Sequence, residues 1–220
     1  LNYLQFLELQ FSCFQNQRTE GRKMWTWKLL GTDVYHLVAA FIVYSVMGWL
    51  VETIYMSICN RKLTNRGFGK GPFCPIYGFG GVFGYLILHP LGNHLVALYF
   101  AGAFLATLFE YLVGVLMRRI FGKVWWDYHE KPCNFQGIIC LESTIAWGFY
   151  AIFIITFLHG KILEMIDQYT AGWGVKACKA ILLMVFVDYL FRFFSICNIS
   201  IRQQKEKLFE VCQSIRSKWQ

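Results

Sequence analysis

Two carboxylates, Glu52 and Glu110, each stand inside a long apolar run that contains no Lys or Arg. Placing an acid at the centre of a hydrocarbon layer costs about 2.5–3.5 kcal/mol on insertion scales, so such a residue faces a bundle interior or a water path and not lipid. There it can take up a proton, attract a cation, or accept hydrogen bonds that fix packing. Each acid is followed by a loop rich in basic, aromatic and glycine residues. The first runs through Asn65, Arg66, Gly67 and Phe68 to Pro72, Cys74, Pro75, Tyr77 and Gly78, combining turn glycines with prolines that leave carbonyls unpaired. The second carries Trp125, Trp126, Asp127 and Tyr128, then Asn134 and Gly137. Arg66 and Asp127 have the chemistry of a cross-loop ion pair that would lock both loops into one platform. The candidate binding or coupling residues are therefore Glu52, Glu110, Asn65, Arg66, Tyr77, Trp126, Asp127, Tyr128 and Asn134. None is assigned a catalytic role.

The elements that must position these groups follow from composition. The 220 residues are 56% hydrophobic and 15% charged, with 21 Phe, 12 Tyr and 8 Trp, more apolar and aromatic than a soluble domain of this size. The apolar residues fall in blocks long enough to cross a core of about 30 Å at about 1.5 Å per residue. The expected fold is all-α, a polytopic membrane bundle of about five helices at 34–59, 72–89, 94–117, 137–158 and 175–197. The second, with Pro72, Pro75 and four glycines, leaves two forms open: a short tilted helix or a partly re-entrant segment. The turn Pro90-Leu91-Gly92-Asn93 makes spans two and three an antiparallel hairpin. On span one, Ser45, Gly48, Glu52 and Tyr55 share a helical stripe; on span three, Gly102, Ala106, Glu110 and Gly114 do. Such small-residue stripes allow close packing and turn both acids inward.

Basic residues set the orientation. Arg61, Lys62, Arg66 and Lys70 lie between spans one and two, Arg118, Arg119, Lys123 and Lys131 between three and four, and Arg202, Lys205, Lys207, Arg216 and Lys218 in the tail. Both loops and the tail, 198–220, are expected to be cytoplasmic. The net charge of +8 is then a topology signal and no argument for nucleic-acid binding. Arg18, Arg22 and Lys23 conflict with an outside N-terminus. Residues 1–23, ahead of the first methionine, Met24, are read as an upstream extension; the alternative is that residues 1–14 lie flat on the membrane. The organisation is an N-terminal segment, 1–33, a transmembrane domain, 34–197, and the basic tail.

Other polar residues have plainer readings. Asp188 and Arg192, one turn apart, form a structural pair, and Glu142 suits the positive end of a helix. The eight cysteines show no CxxC pair and no zinc spacing; Cys74 and Cys133 occupy similar places in the two loops and are the one pair placed to approach. The five histidines, 36, 89, 94, 129 and 159, are read as lying near membrane surfaces without ligand spacing, so no metal or cofactor is expected. Glu52 is followed after nine residues by Arg61 and Glu110 after nine by Arg119, each ahead of a cysteine and a glycine-bearing span, a pattern open to reading as a degenerate repeat or as coincidence.

The strings GWLVETIY (48–55), NRGFGKGPFCPIYGFGG (65–81) and the run from Glu110 through WWDY (125–128), Asn134, GIICL (137–141) and WG (147–148) resemble the ABC-transporter type IV, or CmpB-like, family of bacterial integral membrane proteins. The resemblance covers roughly residues 35–160. It implies a multi-pass protein of the bacterial inner membrane and a permease-like subunit. The family pattern has an arginine where Ile138 stands and an acid near Arg118. No GxxxxGK[ST] motif is present, so an ATPase would be a separate chain. Five spans are few for a whole transporter, which points to a homodimer or larger complex acting on a small-molecule substrate. Two rival classes stay open: a membrane scaffold or sensor that binds a partner through the same loops, and an intramembrane enzyme, for which Cys74, Cys133, Asp127 and His129 have no catalytic spacing.

Overall fold

The computed structural model describes residues 25–29, 32–122, 124–169 and 171–217, with side chains described up to residue 195 apart from Leu29 and Ala171. The readings of residues 1–23 and of the tail's side chains lie outside these residues.

A short antiparallel pair, β1 (Lys28–Leu29) and β2 (Thr32–Asp33), leads into helix α1, Val34–Asn60. Asp33 starts that helix by accepting the His36 N–H at 2.9 Å, and Arg61 ends it in the left-handed region with φ 51°. Helix α2, Pro75–Leu88, opens with Pro75 in its first turn, where the missing N–H costs nothing. A 3₁₀ turn, His89–Leu91, leads to helix α3, Leu95–Phe121, which stops at Gly122 with φ 70°. Helix α4, Leu141–Phe153, passes through a π-helical turn, Ile154–Leu158, into α5, His159–Asp167. Helix α6, Ala171–Ser217, runs for 47 residues.

The all-α expectation holds, and three stretches are long and apolar enough to cross a membrane: Val34–Asn60, Leu95–Phe121 and Leu141–Asp167. The second expected span is a helix of 14 residues, short of the roughly 20 a crossing takes. The fourth was expected at 137–158 but is helical from Leu141 to Asp167. Gly137 has φ 67° and belongs to the loop, and the apolar face continues past Leu158 with Ile162 and Ile166 buried. The tail does not begin at a helix end, because α6 continues through the basic residues to Ser217.

Glycine makes the helix contacts close. A Cβ at Gly48 would collide with the Tyr77 ring, one at Gly78 with Ser45 and Phe41, and one at Gly81 with Tyr44, which fixes α1 against α2. Gly102 against Ala151 and Gly148 against the Tyr99 ring do the same for α3 and α4. Where lipid tails are as apolar as leucine, helices associate through such close packing. The two halves are unequal: α1 and its loop lead to a 14-residue helix, whereas α3 and its loop lead to a helical stretch of 27 residues, Leu141–Asp167. Helix α1 also packs on α5 and α6 around Tyr35, Ala40, Tyr44, Ile162, Ile166 and Cys178. The outer face of α3 exposes Val96, Phe100, Phe104, Leu108, Leu112, Leu116 and Ile120 at four-residue steps, a stripe suited to hydrocarbon.

Candidate functional site

Asn65 builds the first half of the site. Its Oδ1 accepts the Gly67 N–H at 2.9 Å and the Trp49 indole N–H at 2.7 Å, while its Nδ2 donates to the Lys70 carbonyl at 3.2 Å. This staple folds the loop back on α1 and brings Arg66 onto Glu52. Arg66 Nε and Nη2 donate to Glu52 Oε1 at 3.0 and 2.9 Å, with the two side chains only 17% and 23% exposed. Arg66 Nη1 reaches the second loop at the Trp125 carbonyl, 2.9 Å away.

The expected Arg66–Asp127 pair is therefore not formed. Glu52 is half-buried and, among the described residues, pairs with no other cation, so it takes the guanidinium. Asp127 is exposed and satisfied locally by the His129 N–H at 3.0 Å and the His129 ring. The two loops are nonetheless joined, through Arg66 and through Phe68, whose ring meets Phe121, Trp125 and Tyr189 at 5.1 to 5.6 Å.

The second half centres on Glu110, which is 6% exposed on α3. Its Oε1 accepts the Tyr128 hydroxyl at 3.1 Å; its Oε2 accepts the Trp147 indole N–H at 2.9 Å and the Ser143 hydroxyl at 3.5 Å. Among the described residues its hydrogen-bond partners are all neutral. Tyr128 is positioned by its N–H on the Gly137 carbonyl at 2.9 Å, and burial, with Glu110 adding to it, pushes its phenol well above the ordinary range. It is a permanent donor. Trp126 donates to the Ile138 carbonyl at 2.8 Å. Asn134 bridges the turn by donating to the His129 and Lys131 carbonyls at 3.1 and 2.9 Å and accepting from Gly137 N–H at 3.2 Å. Ile138 is fully buried against Gly114. Lys131 pairs with Glu142 at 2.8 Å, in the first turn of α4 as expected for an acid there.

Tyr77 links the halves. Its ring packs against Gly48 of α1 and lies 6.4 Å from that of Trp147, the donor to Glu110. Among the described residues, one carboxylate thus carries its own cation and the other carries none. Chemically this is a place for a proton or a cation to be held.

The stripe on α3 is buried at Gly102, Glu110 and Gly114. That on α1 is buried at Ser45 and Gly48 but ends before Tyr55, which is 60% exposed. Asp188 does not pair with Arg192. Its Oδ2 accepts the Lys70 and Gly71 N–H groups at 2.9 and 3.1 Å, because a glycine turn presents two backbone donors with no other acceptor. Beside it the Tyr189 hydroxyl donates to the Phe73 carbonyl at 2.9 Å. Cys74 and Cys133 are free thiols, and Cys133 is exposed. His159 is buried inside the bundle, 2% exposed. The residues sequence reasoning passed over are Trp147, Ser143, Trp49, Tyr189 and His159. Ser143 and Trp147, one turn apart on α4, carried a readable signal: two donors on the face that must meet an acid.

Apolar helices of membrane-crossing length, a lipid-suited face and a buried carboxylate pair define an α-helical integral membrane protein. Residues 39–193 match the family described as "Putative ABC-transporter type IV", and the chain belongs to that family. No curated protein and no solved structure matches it.

Proposed function

We propose that this chain is a permease-like membrane subunit whose energy-coupling ATPase is a separate chain and whose working carboxylate is Glu110. The observation that carries the reading is the unequal pair. Arg66 neutralises Glu52, which makes that acid a lock between the loops. Glu110 is buried among neutral donors and keeps a charge that a proton or a cationic group can satisfy. The family's description supports a transport role. On this reading α2, lengthened by the 3₁₀ turn His89–Leu91 that continues it, and the apolar part of α6 supply two further membrane crossings, giving five. The positive-inside bias puts both loops and the C-terminal end of α6 in the cytoplasm of a bacterial cell, with the protein in its inner membrane. The loop platform, knit by Arg66 and Phe68, is the docking face for the ATPase, and a homodimer completes the pathway for a small-molecule substrate. The role is not enzymatic.

The test is affinity purification from native membranes of wild type, Glu52→Gln and Glu110→Gln, with co-purifying proteins and small molecules identified by mass spectrometry. Recovery of an ATPase together with a solute that Glu110→Gln loses is the expected result. A soluble partner captured equally by all three, with no ATPase and no solute, would replace the permease reading with that of a membrane scaffold.

A further inference from the structure

A second intramembrane site lies around His159, away from the two loops. The imidazole is 2% exposed, and its Nδ1 is 2.9 Å from the Tyr44 hydroxyl on α1. Its ring stacks on that of Tyr85 from α2, with centroids 3.5 Å apart and planes 16° off parallel. Tyr85 also meets His89, the first residue of the 3₁₀ turn, at 5.0 Å. His159 Nε2 is buried with no hydrogen-bond partner among the described residues.

Counting partners assigns the tautomer. Among the described residues the Tyr44 hydroxyl has one hydrogen-bond partner, His159 Nδ1. If Nδ1 carried the proton, the tyrosine proton and the Nε2 lone pair would both be unmet. If Tyr44 donates to Nδ1, only one buried group is left over, the Nε2–H. A buried donor without an acceptor is what native structures avoid. The backbone beside it is interrupted as well: the His159 N–H reaches back five residues to the Ile154 carbonyl through the π-helical turn. Such turns occur often at functional sites, and helices broken at membrane depth line binding sites in transporters.

We infer that His159, positioned by Tyr44 and Tyr85, is the donor of a second binding site that holds an oxygen acceptor at its Nε2–H. The acceptor is either a water molecule or a carbonyl, carboxylate or hydroxyl oxygen of a carried solute. The site stands independently of the role given to Glu110.

Magic-angle-spinning NMR of histidine-labelled (¹⁵N) protein in lipid bilayers reads the tautomer and the bonding of each ring nitrogen. The expected spectrum has the His159 proton on Nε2, with the shift of a hydrogen-bonded imidazole, and that signal disappears in His159→Phe, which keeps a ring against Tyr85. Magnetisation transfer from water to Nε2–H identifies water. A bonded Nε2–H without such transfer, together with a small molecule that co-purifies with wild type and not with His159→Phe, identifies a solute. A proton on Nδ1, an unbonded Nε2–H, or a bonded one with neither water nor solute overturns the inference. Assignment in the wild type through labelled Leu158 and Gly160 keeps the test decisive if the variant does not fold.

Discussion

At the scale of single residues, the two glutamates should answer differently to substitution. Glu110→Ala removes the acceptor of the Tyr128 and Trp147 donors, while the Ser143 hydroxyl keeps the Cys140 carbonyl at 3.0 Å, and leaving a buried donor unmet costs about 1–3 kcal/mol. Thermal unfolding in lipid nanodiscs should show a loss of about 2 kcal/mol or more for Glu110→Ala, while Glu110→Gln, which keeps an acceptor oxygen, stays within about 1 kcal/mol of wild type. Equal losses would contradict the donor cage. Glu52→Gln and Arg66→Gln should be subadditive, with a coupling of about 1–3 kcal/mol in a double-mutant cycle; additive losses would mean that the ion pair is not formed. At Asp127 the His129 amide, and then the His129 ring, hold the carboxyl below its ordinary value. That turn is therefore fully stabilised above about pH 3.9 and loosens as pH falls through the lowered value. The His129 amide resonance should titrate with a midpoint below about 3.9, and Asp127→Asn should abolish the titration. The acids, Asn65, Arg66 and Tyr128 were legible from residue type and neighbourhood. Arg66's partner was not, because the choice between Glu52 and Asp127 depends on which acid is desolvated, and burial is a property of the folded loops.

At the scale of the elements, glycine decides which helix faces meet. Gly81 and Gly84 lie one turn apart on α2, yet a Cβ at Gly81 would strike the Tyr44 ring and one at Gly84 meets open space. Gly81→Ala should cost about 1–3 kcal/mol through overpacking, whereas Gly84→Ala should gain about 0.5–1 kcal/mol from helix propensity. Thermal unfolding of the pair checks this, and equal effects would remove the close α1–α2 contact. The stripes that turned both acids inward were readable, because a period near 3.6 and small side chains leave a mark in the sequence. The ends of the fourth span were not. Gly137 looked like the start of an apolar run, but its left-handed backbone and the His129 ring lying where its Cβ would be hold it in the loop. The π-helical turn left no sequence mark at all.

Across the whole molecule, Asp188 and Tyr189 tie the longest helix to the loop that presents Arg66. Asp188→Ala should free that contact, so that spin labels at Lys70 and Arg192 report a broadened distance distribution while the Glu52–Arg66 coupling persists. An unchanged distribution would show that the latch is dispensable. Membrane class and helical bundle were plain from composition. The joining of two helix pairs into one centre was only hinted at by the echo between Glu52 and Glu110, since Tyr77 and Trp147 meet only once both hairpins have packed. The central claim is that Glu110, the carboxylate without a cation, is the group on which transport turns. Its most direct test is solute accumulation by inverted membrane vesicles carrying wild type or Glu110→Gln, followed by untargeted mass spectrometry at matched protein levels. The account predicts at least one solute whose energised accumulation is present in wild type and lost in Glu110→Gln. Identical profiles from two folded proteins would contradict it.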